Sequence, residues 1–312
     1  MANVENVLVT GGGGFIGTWV LKELFDRGAQ PIVYDLRNGG DRWQRILGDN
    51  ADQVVFVEGD LTNREALSRA CSQHDVTRII HLAALLTPNC QTDPWFGCQV
   101  NVLGSMTIFE QARLNDAIQS VSYASSLAVF GPEPDDLSSL DPNIDPTYPP
   151  SFYGAFKRSL ELIARQYWLH FQVPSFGLRP HVVYGPERTI GLTAGPSLAA
   201  KAAANNESHC INYSGPAGYD YVEDVALAFV LGALETPLGS NVCDMHSEVA
   251  TTSEIAELVH AASKTENLIT VTGDPIPSNK TDTPNHINRL FPDWKTTSIA
   301  LGLQKTVEFY AK

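Results

Sequence analysis

Residues 4–17 read Val4-Glu5-Asn6-Val7-Leu8-Val9-Thr10-Gly11-Gly12-Gly13-Gly14-Phe15-Ile16-Gly17, and Trp19-Val20-Leu21-Lys22-Glu23-Leu24-Phe25 follows at once. A buried apolar run, a glycine cluster and a helical pattern in that order make a strand, a tight turn and a helix. Gly11 permits the turn, Gly14 lets the backbone approach a diphosphate, and Gly17 lets the helix pack close to the sheet. Free amides and the positive helix end at its start favour an anion. The glycines are spaced three and three, not two and three as in G-x-G-x-x-G.

Further strands follow. Pro31-Ile32-Val33-Tyr34-Asp35 puts Asp35 where an acid meets the adenosine ribose hydroxyls and repels a 2′-phosphate, so NAD is expected over NADP, although Arg37 is close by. Val54 to Leu61 ends in Asp60 and Leu61, at the carboxyl end of a strand, where ligands collect in parallel sheets. Arg78-Ile79-Ile80-His81-Leu82-Ala83-Ala84 ends in small residues that leave room for a ribose and diphosphate. His81 precedes those residues and reads as a structural histidine.

A second motif lies far downstream, Tyr153-Gly154-Ala155-Phe156-Lys157. A phenol and an ammonium four residues apart share one helix face. A free phenol titrates at about 10 and is a poor base at neutral pH. A neighbouring cation lowers that value, and Lys157 is placed to provide one. The glycine turn and the Tyr/Lys pair together imply a nicotinamide enzyme that moves a hydride and uses Tyr153 as acid or base.

With those residues in view, the chain resembles the extended short-chain dehydrogenases/reductases of the NAD-dependent epimerase/dehydratase group. The resemblance is carried by TGGGGFIG, Asp35, GDL at 59–61, HLAAL at 81–85, NVLGS at 101–105, SYASSLAVFG at 122–131, YGAFK at 153–157, LRPHVVYGP at 178–186 and YVEDVALA at 221–228. It implies a Ser126, Tyr153, Lys157 triad, because the catalytic hydroxyl of the group lies five residues before the glycine that is Gly131 here. Lys157 would also hold the nicotinamide ribose. On the cofactor side it implies Gly11, Gly14, Phe15, Ile16, Gly17, Asp35, Asp60, Leu61, Leu82, Ala83, Ala84, Asn101 and His181, besides Tyr153 and Lys157. Asn101 is either a cofactor-side or water-holding amide or an internal polar group that satisfies nearby backbone. Thr87, Ser125, Ser126, Tyr153 and Thr193 are expected on the substrate side.

The 312 residues can bury a large core and carry a formal net charge of −14, from 21 basic and 35 acidic residues. No basic stripe is present, so no nucleic-acid partner is expected. No apolar stretch is long enough for a membrane span. Met1 leads almost directly into the first strand, leaving no room for a signal peptide. The five cysteines are scattered with no zinc-site spacing, and no metal is expected. They read as reduced thiols of a cytoplasmic protein.

The expected fold is α/β, a Rossmann-type doubly wound parallel sheet with a smaller C-terminal substrate lobe. Residues 1–176 form the NAD-binding domain, with 221–268 docking back on it. Residues 177–220 and 269–296 form the lobe, and 297–312 a last helix. Ser253 is the expected N-cap of a helix over 251–262. Aromatic and aliphatic faces near 95–115 and 152–171 suit the four-helix dimer contact of the group, so a homodimer is expected.

The substrate reading turns on departures from the group. Nucleotide-sugar members often carry Asn where Val182 stands, and Arg-Asp where Ala217-Gly218 stands. A diphosphate without cationic donors is poorly compensated, although Arg188 or Lys201 could substitute. The expectation is therefore hydride transfer between NAD and a secondary alcohol or ketone of a small polar substrate: a sugar, polyol, sugar acid or hydroxy amino acid. HLAALLT and SSLAVFGP also resemble the short-chain type of L-threonine 3-dehydrogenase, from which LRPHVVYGP departs. The alternative is a sugar or nucleotide-sugar epimerase using tightly bound NAD through a keto intermediate. A third reading is a non-catalytic NAD-sensing module, which the intact Tyr153 and Lys157 disfavour.

Overall fold

The computed structural model describes residues 4–131, 149–265, 268–276 and 287–311, so 277–286 of the expected lobe lie outside the described residues. In chain order the strands are β1 (Asn6–Thr10), β2 (Gln30–Asp35), β3 (Val55–Glu58), β4 (Arg78–His81), β5 (Val121–Ala124) and β6 (Ser175–Arg179). They continue as β7 (Val182–Tyr184), β8 (His209–Ile211), β9 (Pro216–Tyr221), β10 (Ser240–Asp244), β11 (Glu248–Thr251) and β12 (Ile269–Val271). The helices are α1 (Phe15–Asp26), α2 (Asp41–Leu47), α3 (Arg64–Gln73), α4 (Thr87–Thr92), α5 (Pro94–Cys98) and α6 (Ser105–Leu114). They continue as α7 (Phe152–Phe171), α8 (Gly195–Ala204), α9 (Val222–Leu234), α10 (Thr252–Ser263) and α11 (Ile299–Tyr310).

The main sheet runs β10-β6-β5-β4-β1-β2-β3, with every pair parallel. Parallel strands with helices on both faces are buried on both faces, which is why β1 reads as a continuous apolar run. Its alternate residues serve two cores. Val7 and Val9 pack with Val20, Leu24 and Phe229 on one face. Leu8 packs with Leu67, Phe109 and Leu160 on the other. Strand order reverses between β1 and β4, so a crevice opens above their carboxyl ends. This is the Rossmann-type doubly wound sheet that the first strand announces.

A smaller lobe follows. β11, β9 and β7 form one sheet and β12 pairs with β8. With α8, α10 and α11 they enclose a third core that includes Tyr184, Ala199, Ile211, Tyr219, Tyr221, Ile255 and Leu303.

Several boundaries differ from the reading of the chain. The main sheet keeps the chain to Arg179 rather than 176. Only the first half of 221–268 docks on the main domain: α9 packs against α1, and β10 adds an edge strand beside β6. β11 and α10 belong to the lobe instead, because Ile255, Ala256 and Val259 find their apolar partners on α8 and α11. The N-cap of α10 is Thr251, not Ser253: its side chain accepts from the Glu254 amide and the Glu254 carboxylate reaches back to the Thr251 backbone. That capping box satisfies two amides at once. Between α5 and α6 the helix widens into a π-helical turn at Gln99–Gly104, a common device near functional sites.

Assignment of α10 to the lobe has a measurable consequence. Ile255 is 0% exposed in the lobe core, so Ile255→Ala should lower unfolding free energy in urea by about 2–5 kcal/mol while the main-sheet contacts stay intact.

Candidate active site

The glycine turn is shaped by its contacts. Gly11 has φ +75°, and a Cβ there would sit 2.7 Å from the Ala83 amide nitrogen. Only glycine lets β1 leave the sheet this close to the chain leaving β4. α1 begins after Gly14 without a side-chain cap and without an acid in its first turn. Its first amides and positive end are therefore open to an anionic ligand. Phe15, Ile16 and Gly17 form that first turn.

Asp35, at the end of β2, accepts from the Gly13 amide at 3.1 Å and from the Arg37 amide at 3.4 Å. The carboxylate is held at the loop, while the Arg37 side chain is exposed. Asp60 accepts from the Thr62 amide at 2.8 Å and from its hydroxyl at 2.7 Å. Leu61 faces the core and is 6% exposed. Leu82 and Ala83 follow β4, their amides donating to the Thr10 carbonyl and hydroxyl, and Ala84 continues the same small-residue wall. His81 is a structural group: its ring bridges the Thr10 hydroxyl at 2.7 Å and the Ser105 hydroxyl at 2.9 Å. Burial, with Lys157 beside it, pushes His81 down to about 3, so it stays neutral.

The second cluster sits where β5 ends and α7 begins. Ser126 caps a short 3₁₀ turn by accepting from the Ala128 amide at 3.2 Å. Ser151 caps α7 by accepting from the Gly154 amide at 3.1 Å. Gly154 lies so close to that turn that a Cβ would strike the Ala128 carbonyl oxygen. This approach sets the Tyr153 phenol near the Ser126 hydroxyl, which acts to lower its pKa. Lys157, one turn on and 4% exposed, donates to the Ala124 carbonyl at 2.6 Å, with its nitrogen 5.8 Å from the Tyr153 ring centre. The structure therefore brings Ser126, Tyr153 and Lys157 together.

Their electrostatics differ from the expectation that Lys157 lowers Tyr153. Burial dominates both groups, pushing Tyr153 up to about 12, against the Ser126 hydrogen bond, and Lys157 down to about 8. The ammonium faces the Ala124 carbonyl and the ring rather than pairing with the phenol oxygen. In the free protein Tyr153 is a neutral phenol at physiological pH.

Three residues expected at ligands make hydrogen bonds within the protein. Asn101, in the π-turn, accepts from the Leu85 amide at 2.8 Å and donates to the Leu85 carbonyl at 2.9 Å. Its amide fixes the chain after β4, which is the internal-polar alternative. Ser125, 3% exposed, donates to Glu161 at 2.5 Å. Thr193 accepts from Arg188 at 2.8 Å. Thr87 is half-buried at the start of α4. The ring of His181 packs on Gly218 while its amide donates to Asp220 at 2.7 Å.

Glu161 is the important residue that the motif reading passed over. It lies four residues past Lys157 and eight past Tyr153, on the same buried face of α7, and that spacing was its available signal. It takes a bidentate pair from Arg179 at 2.6 and 2.7 Å, and Arg179 also reaches Asp244 at 3.5 Å.

With this geometry in hand, comparison with known proteins is direct. The NAD dependent epimerase/dehydratase family matches residues 7–241, and the chain belongs to that family. An uncharacterized protein of Methanocaldococcus jannaschii is 31% identical over 58% of this chain, spanning 57% of that relative's length. A UDP-glucose 4-epimerase of Mycolicibacterium smegmatis is 28% identical, with 97% of each chain covered. Among solved structures, the UDP-glucose 4-epimerase of Thermus thermophilus in complex with NAD is 25% identical, covers 98% of each chain and superposes with a TM-score of 0.78.

The burial of Lys157 makes a pH prediction. Its folded value of about 8 lies below the ordinary 10.5, so between these values the unfolded chain holds more protons and stability rises with pH. Lys157→Met removes that titration. Wild type should therefore gain stability relative to the variant as pH rises from about 8 to about 10.5, read by urea unfolding at both ends. A constant difference would mean that the ammonium is not desolvated.

Proposed function

We propose that the chain is a sugar epimerase of the 4-epimerase type, working through NAD and a keto intermediate. What carries this reading is a match to a UDP-glucose 4-epimerase along 97% of both chains, combined with intact proton-handling side chains at the carboxyl ends of the strands. The Gly11–Gly17 turn, with Asp35 at the adenosine ribose, would hold the dinucleotide, and the uncapped, acid-free start of α1 suits its pyrophosphate. NAD, when bound, supplies the hydride acceptor and donor. Tyr153 takes the proton of the substrate hydroxyl and returns it, while Ser126 hydrogen-bonds the same oxygen. Lys157 holds the nicotinamide ribose and supplies the nearby positive charge. Tyr153 starts as a buried phenol titrating at about 12, so proton abstraction relies on positive charge gathered beside it.

A second reading, NAD-linked oxidation of a small polar alcohol, is favoured by Val182. That position often carries Asn in nucleotide-sugar members, and here its side chain is 8% exposed within the lobe core. The fate of NAD separates the two. An epimerase retains NAD through purification and interconverts a sugar without net NADH. A dehydrogenase accumulates NADH in step with its substrate. In either case Tyr153→Phe should lower kcat by about 10²–10⁴-fold while NAD affinity holds; retained turnover would reject Tyr153 as the proton-transfer group.

A homodimer in the cytoplasm completes the proposal. All five cysteines are free, and among the described residues no helix is long and apolar enough to cross a membrane. Leu103, Met106 and Leu114, with Leu162 and Leu169 of α7, are large apolar side chains left exposed on adjacent helices. A second copy applying the same two helices would cover them. Sedimentation should give a dimer that Leu103→Glu shifts toward monomer; a monomeric wild type would overturn this.

A further inference from the structure

Three passages of the chain between the main sheet and the lobe meet at one buried carboxyl group. Asp220, 1% exposed, lies near the end of β9, just before α9 carries the chain back to the main domain. Its Oδ2 accepts from the His181 amide at 2.7 Å, in the connector from β6 to β7. Its Oδ1 accepts from the Ser247 hydroxyl at 2.6 Å, in the connector from β10 to β11. Those connectors leave the main sheet at Arg179 and Asp244, the strand ends that meet beside Glu161. The attachment of the lobe thus begins within a few residues of the cluster that aligns α7. Both donors to Asp220 are neutral, and burial dominates, pushing it up to about 7 against the two hydrogen bonds. Charged and titratable groups approach it from each element packed there. Asp224 of α9, itself raised by burial, adds to the effect as a like charge, and Lys305 of α11 acts on Asp224. His181 is pushed down to about 4 by burial and stays neutral. Tyr184 of β7 and Glu248 of β11 share the same electrostatic neighbourhood, and His246 precedes Ser247.

We propose that Asp220 is a positioning residue whose neutral carboxyl group pins the lobe against the main sheet and whose ionisation loosens that pin. The sign follows from the two environments. A hydrated Asp titrates at about 3.9, and the buried group titrates higher because desolvation opposes its charge. Between these values the closed junction holds the extra proton, so a movement that hydrates Asp220 becomes easier as pH rises, and the effect is complete once both states are ionised. The consequence for catalysis rests on the reading of the cleft between main sheet and lobe as the site of a sugar. A looser lobe then weakens substrate binding rather than proton transfer, because Tyr153, Ser126 and Lys157 are carried by α7 and the turn after β5.

The test is hydrogen exchange at the His181 amide, read by mass spectrometry on the full-length protein with saturating NAD and corrected at each pH for the intrinsic rate. Protection in wild type should fall about tenfold or more between about pH 5 and about pH 7. Asp220→Asn keeps the shape and cannot ionise, so its protection should stay level over that interval. Ser247→Ala removes a hydrogen bond that favours the charged form, so its fall should move to higher pH; this variant decides if the Asp220 variant does not fold. Level protection in wild type, or the same fall in Asp220→Asn, overturns the pin. With a sugar that the enzyme interconverts, KM should rise with pH in wild type but not in Asp220→Asn, while the kcat profile set by Tyr153 and Lys157 is common to both. A KM profile shared by both proteins overturns the role in substrate binding. A fall in protection that Asp220→Asn abolishes, without interconversion of any sugar, leaves the pin standing while the epimerase reading falls.

Discussion

The position of every reactive group depends on the buried pair between Glu161 and Arg179. Glu161 belongs to α7 and Arg179 to the end of β6, and two parallel hydrogen bonds of 2.6 and 2.7 Å join them in the interior. Ser125 at the end of β5 and Asp244 at the end of β10 bind the same two residues. One helix and three adjacent strand ends thus meet at a single charge cluster. Such a pair adds little net stability, because desolvation offsets attraction, but losing one partner leaves a buried charge and costs about 3–5 kcal/mol. Its planar fork also has one favourable geometry, which sets the axial and rotational position of α7. Lys157 on the Ala124 carbonyl and Gly154 against the Ala128 carbonyl fix the same helix one and two turns earlier. Tyr153 consequently meets Ser126 through rigid elements rather than through a loop.

Burial has a second effect on the same site. It keeps His81 neutral, holds Tyr153 as a phenol and lowers Lys157 toward neutrality. Desolvation opposes charge of either sign. The site is therefore least comfortable when it is left without charged partners, and an incoming dinucleotide and substrate would relieve that. Arg188 in the lobe is desolvated in the same way, and its acceptors among the described residues are the neutral Val183 carbonyl and Thr193 hydroxyl.

Much of this was legible in the residues. The apolar run of β1, the glycine turn and the start of α1 declare strand, turn and helix because each follows from local chemistry: side-chain period, backbone freedom and helix-end amides. Tyr153 and Lys157 declare themselves because helix geometry alone puts them on one face. His81 as a structural ring also followed from its place before the ligand-facing residues. Asn101, Ser125 and Thr193 have protein partners that the motifs did not announce, for a shared reason. A polar side chain near a site is satisfied by whatever lies closest, and the Leu85 backbone, Glu161 and Arg188 are 16, 36 and 5 residues away in the chain.

By itself the sequence determined the fold class, the glycine turn between β1 and α1, and the shared helix face of Tyr153 and Lys157, since these rest on spacings of a few residues. Only the tertiary structure decided that α10 packs in the lobe, that β10 completes the main sheet, and that Glu161 and Arg179 align α7. Each of these depends on which distant surfaces meet and on which charges are left dry when they do, and no local pattern encodes either.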